Sequence, residues 1–156
     1  MTEHTTDHAN VKIHPPVLLL LHVLGAFLLN WLFPLPFEFP KFVEWLGYVL
    51  VLAGLGLAFS AISQFGKMHT TLDPHGSVKT IVTSGPYRFS RNPIYFGFLC
   101  TLVGLPLALG NYWGAVLGPI FVASMFQLVI KHEETYLEGK FKDVYTNYKL
   151  RVRRWL

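Results

Sequence analysis

Four apolar runs dominate this chain and leave little choice of solvent. Val43–Phe65 carries one charged side chain, Glu44, and is long enough to cross a bilayer with some tilt. Tyr112–Ile130 carries none. Val17–Phe33 and Ile94–Leu109 are marginal against the roughly 20 residues a spanning helix needs. Pro34 stops the first run, and Pro106 predicts a kink or an early end in the third. Gly110-Asn111 alone separates the third run from the fourth, which predicts a tight helical hairpin. Of the 156 residues, 52% are hydrophobic and 14% charged, where a soluble domain carries about a quarter charged. The apolar surplus exceeds what one small core can bury, so it faces lipid. The expected fold is an all-α membrane protein of about four transmembrane helices. It forms a single integral membrane domain, with a polar tail over 1–16, two helices within 17–65 and a core over 66–156.

Charge orients the helices. Lys12 precedes the first run, and Lys41 alone lies between the first and second. Lys67, Lys79, Arg88 and Arg91 lie between the second and third, and seven more basic residues follow the fourth. With both termini on one side, twelve of the thirteen basic residues share that side, which the positive-inside rule makes cytoplasmic. The net charge of +4 is therefore a topology signal, and no groove-reading motif points to nucleic acid.

Met1–His14 is polar, holds Glu3 and Asp7, and shows no cleavage signature, so Val17–Phe33 reads as a retained anchor. His4, His8, His14 and His22 are irregularly spaced in a Thr-rich setting, which reads as a disordered tail rather than a metal site. His22 and Asn30 project to one helix face, towards other helices. The lone Cys100 sits in an apolar run and reads as a small buried hydrophobe. Gly47, Ala53, Gly54, Gly56, Ala58, Ser60 and Ala61 make the second run suited to close helix packing.

Two segments on the basic side carry the chemistry. The 28-residue connection from Gly66 to Pro93 has turn signals at Asp73-Pro74, Gly76 and Gly85-Pro86, and ends in "GPYRFSRNPIYFG". Pro86 and Pro93 bias Gly85 and Asn92 towards extended geometry, so 85–92 should be a stiff loop. Tyr87 and Tyr95 alone would make an aromatic belt. After the fourth run, Leu137, Phe141, Val144, Tyr145, Tyr148, Val152 and Trp155 recur at helical spacing, which predicts a C-terminal amphipathic helix on the membrane surface. That reading leaves Glu133-Glu134 unexplained, because adjacent carboxylates do not help anchoring. A hairpin of nearly equal arms returns the chain to the face it left, so Arg91 should meet Glu133 and Glu134 about a helix diameter away, with Arg88 on the same loop.

The set "GPYRFSRNPIYFG", an apolar hairpin, "EE" and then "VY.NY..RV.RWL" resembles the isoprenylcysteine carboxyl methyltransferase and phospholipid methyltransferase group, over roughly Thr70 to Leu156. The resemblance implies an integral membrane enzyme using S-adenosylmethionine. It places Arg91, Pro93, Tyr95, Gly97, Glu133 and Glu134 in the cofactor site, with Tyr87 and Asn92 beside them, and gives Arg91 and Glu134 the catalytic roles. Asn92 stands where the group often carries histidine, which removes a histidine-based proton transfer, and Arg153 stands where proline is expected.

The residue types suit that cofactor. Carboxylates accept from ribose hydroxyls or an ammonium, arginine clamps a carboxylate, and tyrosine faces stabilise adenine or a cation. The acceptor expected is amphiphilic: a carboxylate of isoprenylcysteine type, prenylated on a protein or small molecule, or a lipid headgroup. Two other readings remain at this level. One is an NADPH-dependent enzyme like the membrane sterol reductases. The other is a non-enzymatic membrane protein that keeps the scaffold.

Overall fold

The structure is a computed structural model that describes residues 8–36, 40–71 and 78–156. The turn signals at Asp73-Pro74 and Gly76, and the first part of the tail including His4, lie outside the described residues.

Among the described residues six α-helices follow one another: α1 Pro15–Leu32, α2 Phe42–Lys67, α3 Pro93–Ala108, α4 Trp113–Met125, α5 Lys131–Phe141 and α6 Asp143–Arg151. A 3₁₀ turn, Gly85–Arg88, precedes α3, and a π-helical turn, Phe126–Ile130, joins α4 to α5 without a break. Three stretches are long and apolar enough to cross a membrane: Pro15–Leu32, Phe42–Lys67 and the continuous Trp113–Phe141. From Trp113 to Glu133 the helix rises about 30 Å, the thickness of a hydrocarbon layer, so the carboxylates stand about that far from the α3–α4 connection. α3 is shorter, at 16 residues. It ends two residues after Pro106, as the sequence predicts. The chain between α3 and α4 is kept in order by Asn111, which is 1% exposed. Its Nδ2 donates to the Ala26 carbonyl at 3.0 Å and its Oδ1 accepts from the Trp113 N–H at 3.0 Å. Backbone outside a helix is tolerated at membrane depth where protein satisfies it in this way.

α3 sits between α2 on one side and α1 with α4 on the other. The α2–α3 contact is a glycine seam. A Cβ built on Gly54 would stand 2.7 Å from the Gly97 carbonyl, and one on Gly104 would stand 2.7 Å from the Gly47 carbonyl. Two heptad-spaced glycines on each antiparallel helix let the backbones touch. Gly56, on the same helix, meets nothing. His22 turns inward as expected, its ring edge-on to Phe121 at 5.3 Å and its Nδ1 within 2.8 Å of the Leu18 carbonyl. Cys100 is free and half-buried.

Three sequence expectations change. The described part of the N-terminal tail is packed rather than disordered: Ala9 and Val11 are buried against the core, and the Lys12 N–H donates to the Leu128 carbonyl at 3.3 Å. Alternating apolar residues at 9, 11 and 13 supply that face, and the wide π turn offers a carbonyl for the bond. The C-terminal helix is two helices, since Lys142 takes φ +45° and turns the chain between α5 and α6. The turn folds α6 back, and Lys149 pairs with Glu138 across it. The predicted stripe thus divides into buried Tyr145 and Tyr148 and exposed Val144. Finally, Gly85 takes φ +58° and opens a 3₁₀ turn within the loop, where extended geometry was expected before Pro86. Glycine admits that conformation, and its missing Cβ makes room for Gln64, whose Cδ would lie 2.9 Å away.

Candidate active site

Pro93 occupies the first turn of α3 and leaves Asn92 at φ −130°, ψ 53°, outside the helix. Arg91 and Asn92 therefore lie on a turn at the mouth of α3, at the opposite end of that helix from the α3–α4 connection. Two N-terminal prolines and the buried ring of Tyr87, packed edge-on to Phe65 at 5.7 Å, hold this turn from below.

The chain's last residues hold it from the other side. Ser90 forms a parallel bridge with Arg153, and the Arg91 N–H donates to the Arg153 carbonyl at 2.9 Å. Asn92 Nδ2 donates to the Arg154 carbonyl at 3.0 Å, and Ser90 Oγ donates to the same carbonyl at 3.3 Å. Asn92 is thus a fastening for the tail. Tyr148 adds a further tie by donating to the Tyr87 carbonyl at 2.7 Å.

The hairpin delivers the carboxylates where the spacing predicts. Arg91 Nη2 lies 3.3 Å from Glu134 Oε1, with side chains 9% and 11% exposed. Arg154 grips the same carboxylate with two parallel bonds, Nε to Oε1 at 3.0 Å and Nη2 to Oε2 at 2.9 Å. The Arg154 guanidinium also lies over the Phe126 ring at 4.8 Å. Glu133 has different company. The Tyr95 hydroxyl donates to its Oε1 at 2.6 Å, and among the described residues no cation pairs with it. Arg91 Nε and Nη1 are buried with no partner. Arg91 therefore keeps donors in hand, and Glu133 keeps acceptor capacity.

Both face one cavity of about 130 Å³. Tyr87, Arg91, Asn92, Tyr95, Glu133 and Glu134 line it, and Phe65, Val82, Ile94 and Leu137 form apolar wall. Burial holds the phenols of Tyr87, Tyr145 and Tyr148 above the usual tyrosine range, so they stay neutral hydrogen-bonding groups at physiological pH. Among the described residues no cluster of three or more His, Cys, Asp or Glu is placed to hold a metal ion.

Six of the eight residues singled out from the sequence thus share this cavity. Pro93 is fully buried beneath it as the first residue of α3. Gly97 is elsewhere: a Cβ there would stand 2.5 Å from the Gly54 carbonyl, so its place is the helix seam and not the cavity. Arg88, expected opposite the carboxylates, is exposed, because the 3₁₀ turn puts it on the outer side of the loop. Sequence reasoning missed Arg154, Tyr145 and Tyr148. With Arg88 turned outward, Arg91 alone would face two carboxylates, and Arg154 is the second cation that the structure brings there.

A profile of the phospholipid methyltransferase family matches residues 42–144. The protein-S-isoprenylcysteine O-methyltransferase of Schizosaccharomyces pombe is 32% identical over 101 residues, covering 64% of this chain and 43% of that protein. Protein-S-isoprenylcysteine O-methyltransferase B of Arabidopsis thaliana is 32% identical over 111 residues, covering 68% and 55%. An uncharacterised protein of Haemophilus influenzae is 48% identical over 65 residues, its whole length and 40% of this chain. The chain spans about half the length of the two named methyltransferases. No solved structure matches it significantly. The matched region runs from α2 through the glycine seam, Arg91 and the Glu133-Glu134 pair into the start of α6, and by that match the chain belongs to the phospholipid methyltransferase family.

Proposed function

We propose that this protein is a membrane methyltransferase that moves a methyl group from S-adenosylmethionine to an amphiphilic acceptor. The observation that carries the reading is the juxtaposition, in one cavity, of Arg91, whose Nε and Nη1 are buried without a partner, and Glu133, which pairs with no cation among the described residues. That pair fits a zwitterionic amino acid end, its carboxylate on Arg91 and its ammonium on Glu133. The tyrosine-lined remainder fits a purine and its ribose. Bound there, the cofactor supplies an electrophilic methyl group on a sulfonium.

The chain's own part is to bind, align and exclude water. Arg91 and Glu133 fix the cofactor's amino acid end, Tyr95 holds Glu133 in place, and Glu134 holds Arg91. The apolar wall keeps water from the methyl acceptor, and alignment of two reactants in a dry site is the main lever on a displacement that neutralises charge. The relatives' names speak of O-methylation of isoprenylcysteine, which favours a carboxylate acceptor here, and a lipid headgroup is the other acceptor of the same amphiphilic class. A carboxylate has no proton to lose, whereas an amine would have to lose one, and Glu133 is the group within the cavity able to take it. Residues 66–156 form the methyltransferase core. In the bilayer α3 crosses as a fourth helix beside the three longer ones, and the site faces the cytoplasm with both termini.

The test is to incubate membranes holding the protein with methyl-labelled S-adenosylmethionine, then separate lipid, protein and small-molecule fractions. Label should enter the prenylated or lipid fraction and vanish with Arg91→Ala. Equal incorporation by wild type and by membranes lacking the protein would overturn the reading.

A further inference from the structure

Arg154 and Arg91 compete for one carboxylate, and the outcome of that competition sets what Arg91 can bind. Arg154 occupies both oxygens of Glu134 in a two-bond fork. Arg91 is left with a single contact of 3.3 Å through Nη2, while Nε and Nη1 stay buried and unpartnered. A carboxylate and a guanidinium prefer two parallel bonds. Arg91 would take that geometry on Glu134 if both oxygens were open to it. The tail is placed for the opposite result: the Arg154 carbonyl is fastened by Asn92 and Ser90, and its guanidinium rests on Phe126. Arg154 thus enters the site at a fixed register with its fork already aimed at Glu134.

We propose that Arg154 is a positioning residue that saturates Glu134, and so keeps the Arg91 guanidinium open to a carboxylate-bearing ligand. The proposal rests on the cofactor reading above for the identity of that ligand, although the competition itself is among the protein's own side chains. It gives the C-terminal tail a specific job. Without Arg154, Arg91 closes onto Glu134 and the cavity loses its free donors while the fold remains.

The experiment has a ligand-free arm and a binding arm, both on the full chain in detergent. In the first, the Arg91 Nε–H resonance is followed by nitrogen-edited NMR, assigned by its loss in Arg91→Lys. Arg154→Ala should shift it downfield as Nε bonds to Glu134, and Arg154→Ala combined with Glu134→Gln should return it towards its wild-type position. An unmoved resonance in Arg154→Ala overturns the proposal. In the second arm, calorimetry with S-adenosylhomocysteine should give a Kd raised about tenfold or more by Arg154→Ala, the scale of one charge-assisted contact. The double variant should recover most of that loss, because a neutral amide no longer captures Arg91. A double variant as weak as the single one, or weaker, means that Arg154 acts only by fixing the tail, and overturns the proposal. Arg154→Lys serves if the alanine variant is poorly folded: one bond leaves one oxygen to Arg91, so both readouts should fall between wild type and alanine, and wild-type values in both would overturn it. If wild type binds no S-adenosylhomocysteine, the cofactor reading falls, and the ligand-free arm still decides the role of Arg154.

Discussion

A guanidinium kept under cover with two donors idle is costly, since each unmet buried donor forfeits a hydrogen bond to water. Arg91 is held in that state by its neighbours, which fits the proposed role in binding a ligand. Its replacement should therefore reach binding before stability. Arg91→Ala is expected to raise the Kd for S-adenosylhomocysteine by roughly ten- to a hundredfold, from the loss of charge-assisted bonds worth about 1.5–3 kcal/mol. Arg91→Lys should restore little of it, because an ammonium cannot present two coplanar donors. Calorimetry reads both, and full affinity in the lysine variant would show that a point charge suffices. Asn92 stands differently. Its amide is spent on the Arg154 carbonyl, so its contribution is to fasten the tail.

At the scale of elements, the site stands on the α2–α3 seam, which fixes how far the mouth of α3 lies from α2. Gly54→Ala would push a methyl group to 2.7 Å from the Gly97 carbonyl and the Cys100 Cβ, and backbone has no room to give. The expected cost is about 1–3 kcal/mol, the usual range for overpacking. Gly56→Ala meets open space and should stabilise α2 by up to about 1 kcal/mol through helix propensity. Thermal melts in one detergent separate the two, and similar shifts in both would mean that the seam is not tight. The α5–α6 corner gives a second check. Lys142 adopts φ +45°, ψ −122°, a region that glycine enters freely and lysine does not. Lys142→Gly should therefore raise the melting temperature, by the equivalent of about 1 kcal/mol. A lowered melting temperature would indicate that the corner is not strained.

At the scale of the whole molecule, the bundle has an aromatic, charge-poor end and a basic, site-bearing end. Trp31, Trp45 and Trp113 belong to the first, where Trp113 Nε1 donates to the Phe33 carbonyl at 2.8 Å and ties α1 to α4. The second end carries twelve of the thirteen basic residues together with the cavity. Tags fused before Met1 and after Leu156 should both resist protease added outside sealed cells and yield to it once the cells are opened. Cleavage of either tag in sealed cells would overturn the orientation. The connection from α1 to α2 should show the reverse accessibility to a membrane-impermeant thiol reagent, through Pro36→Cys in a Cys100→Ser background.

The amino-acid order alone determined what must be buried in lipid, and which charges must meet. Apolar run length set the spans, and the near-equal arms around Gly110-Asn111 forced Glu133 and Glu134 back to the level of Arg91, because a helix has a fixed rise per residue. That is why the Arg91–Glu134 pair is legible in the sequence. Rotation about helix axes was not legible. Gly97 and Tyr95 are two residues apart in one motif, yet about 200° of helical turn sends one into the seam and the other to the cavity. Tertiary structure alone decided the tail. Period counting ran one stripe from Leu137 to Trp155, but a single backbone reversal at Lys142 put Tyr145 and Tyr148 inside and left Arg153 and Arg154 to pair with Ser90. Long-range pairing of that kind depends on where two distant segments end in space, and local pattern does not encode it. Arg154 reaches Glu134 by that route, across twenty residues of chain whose turn no periodicity records.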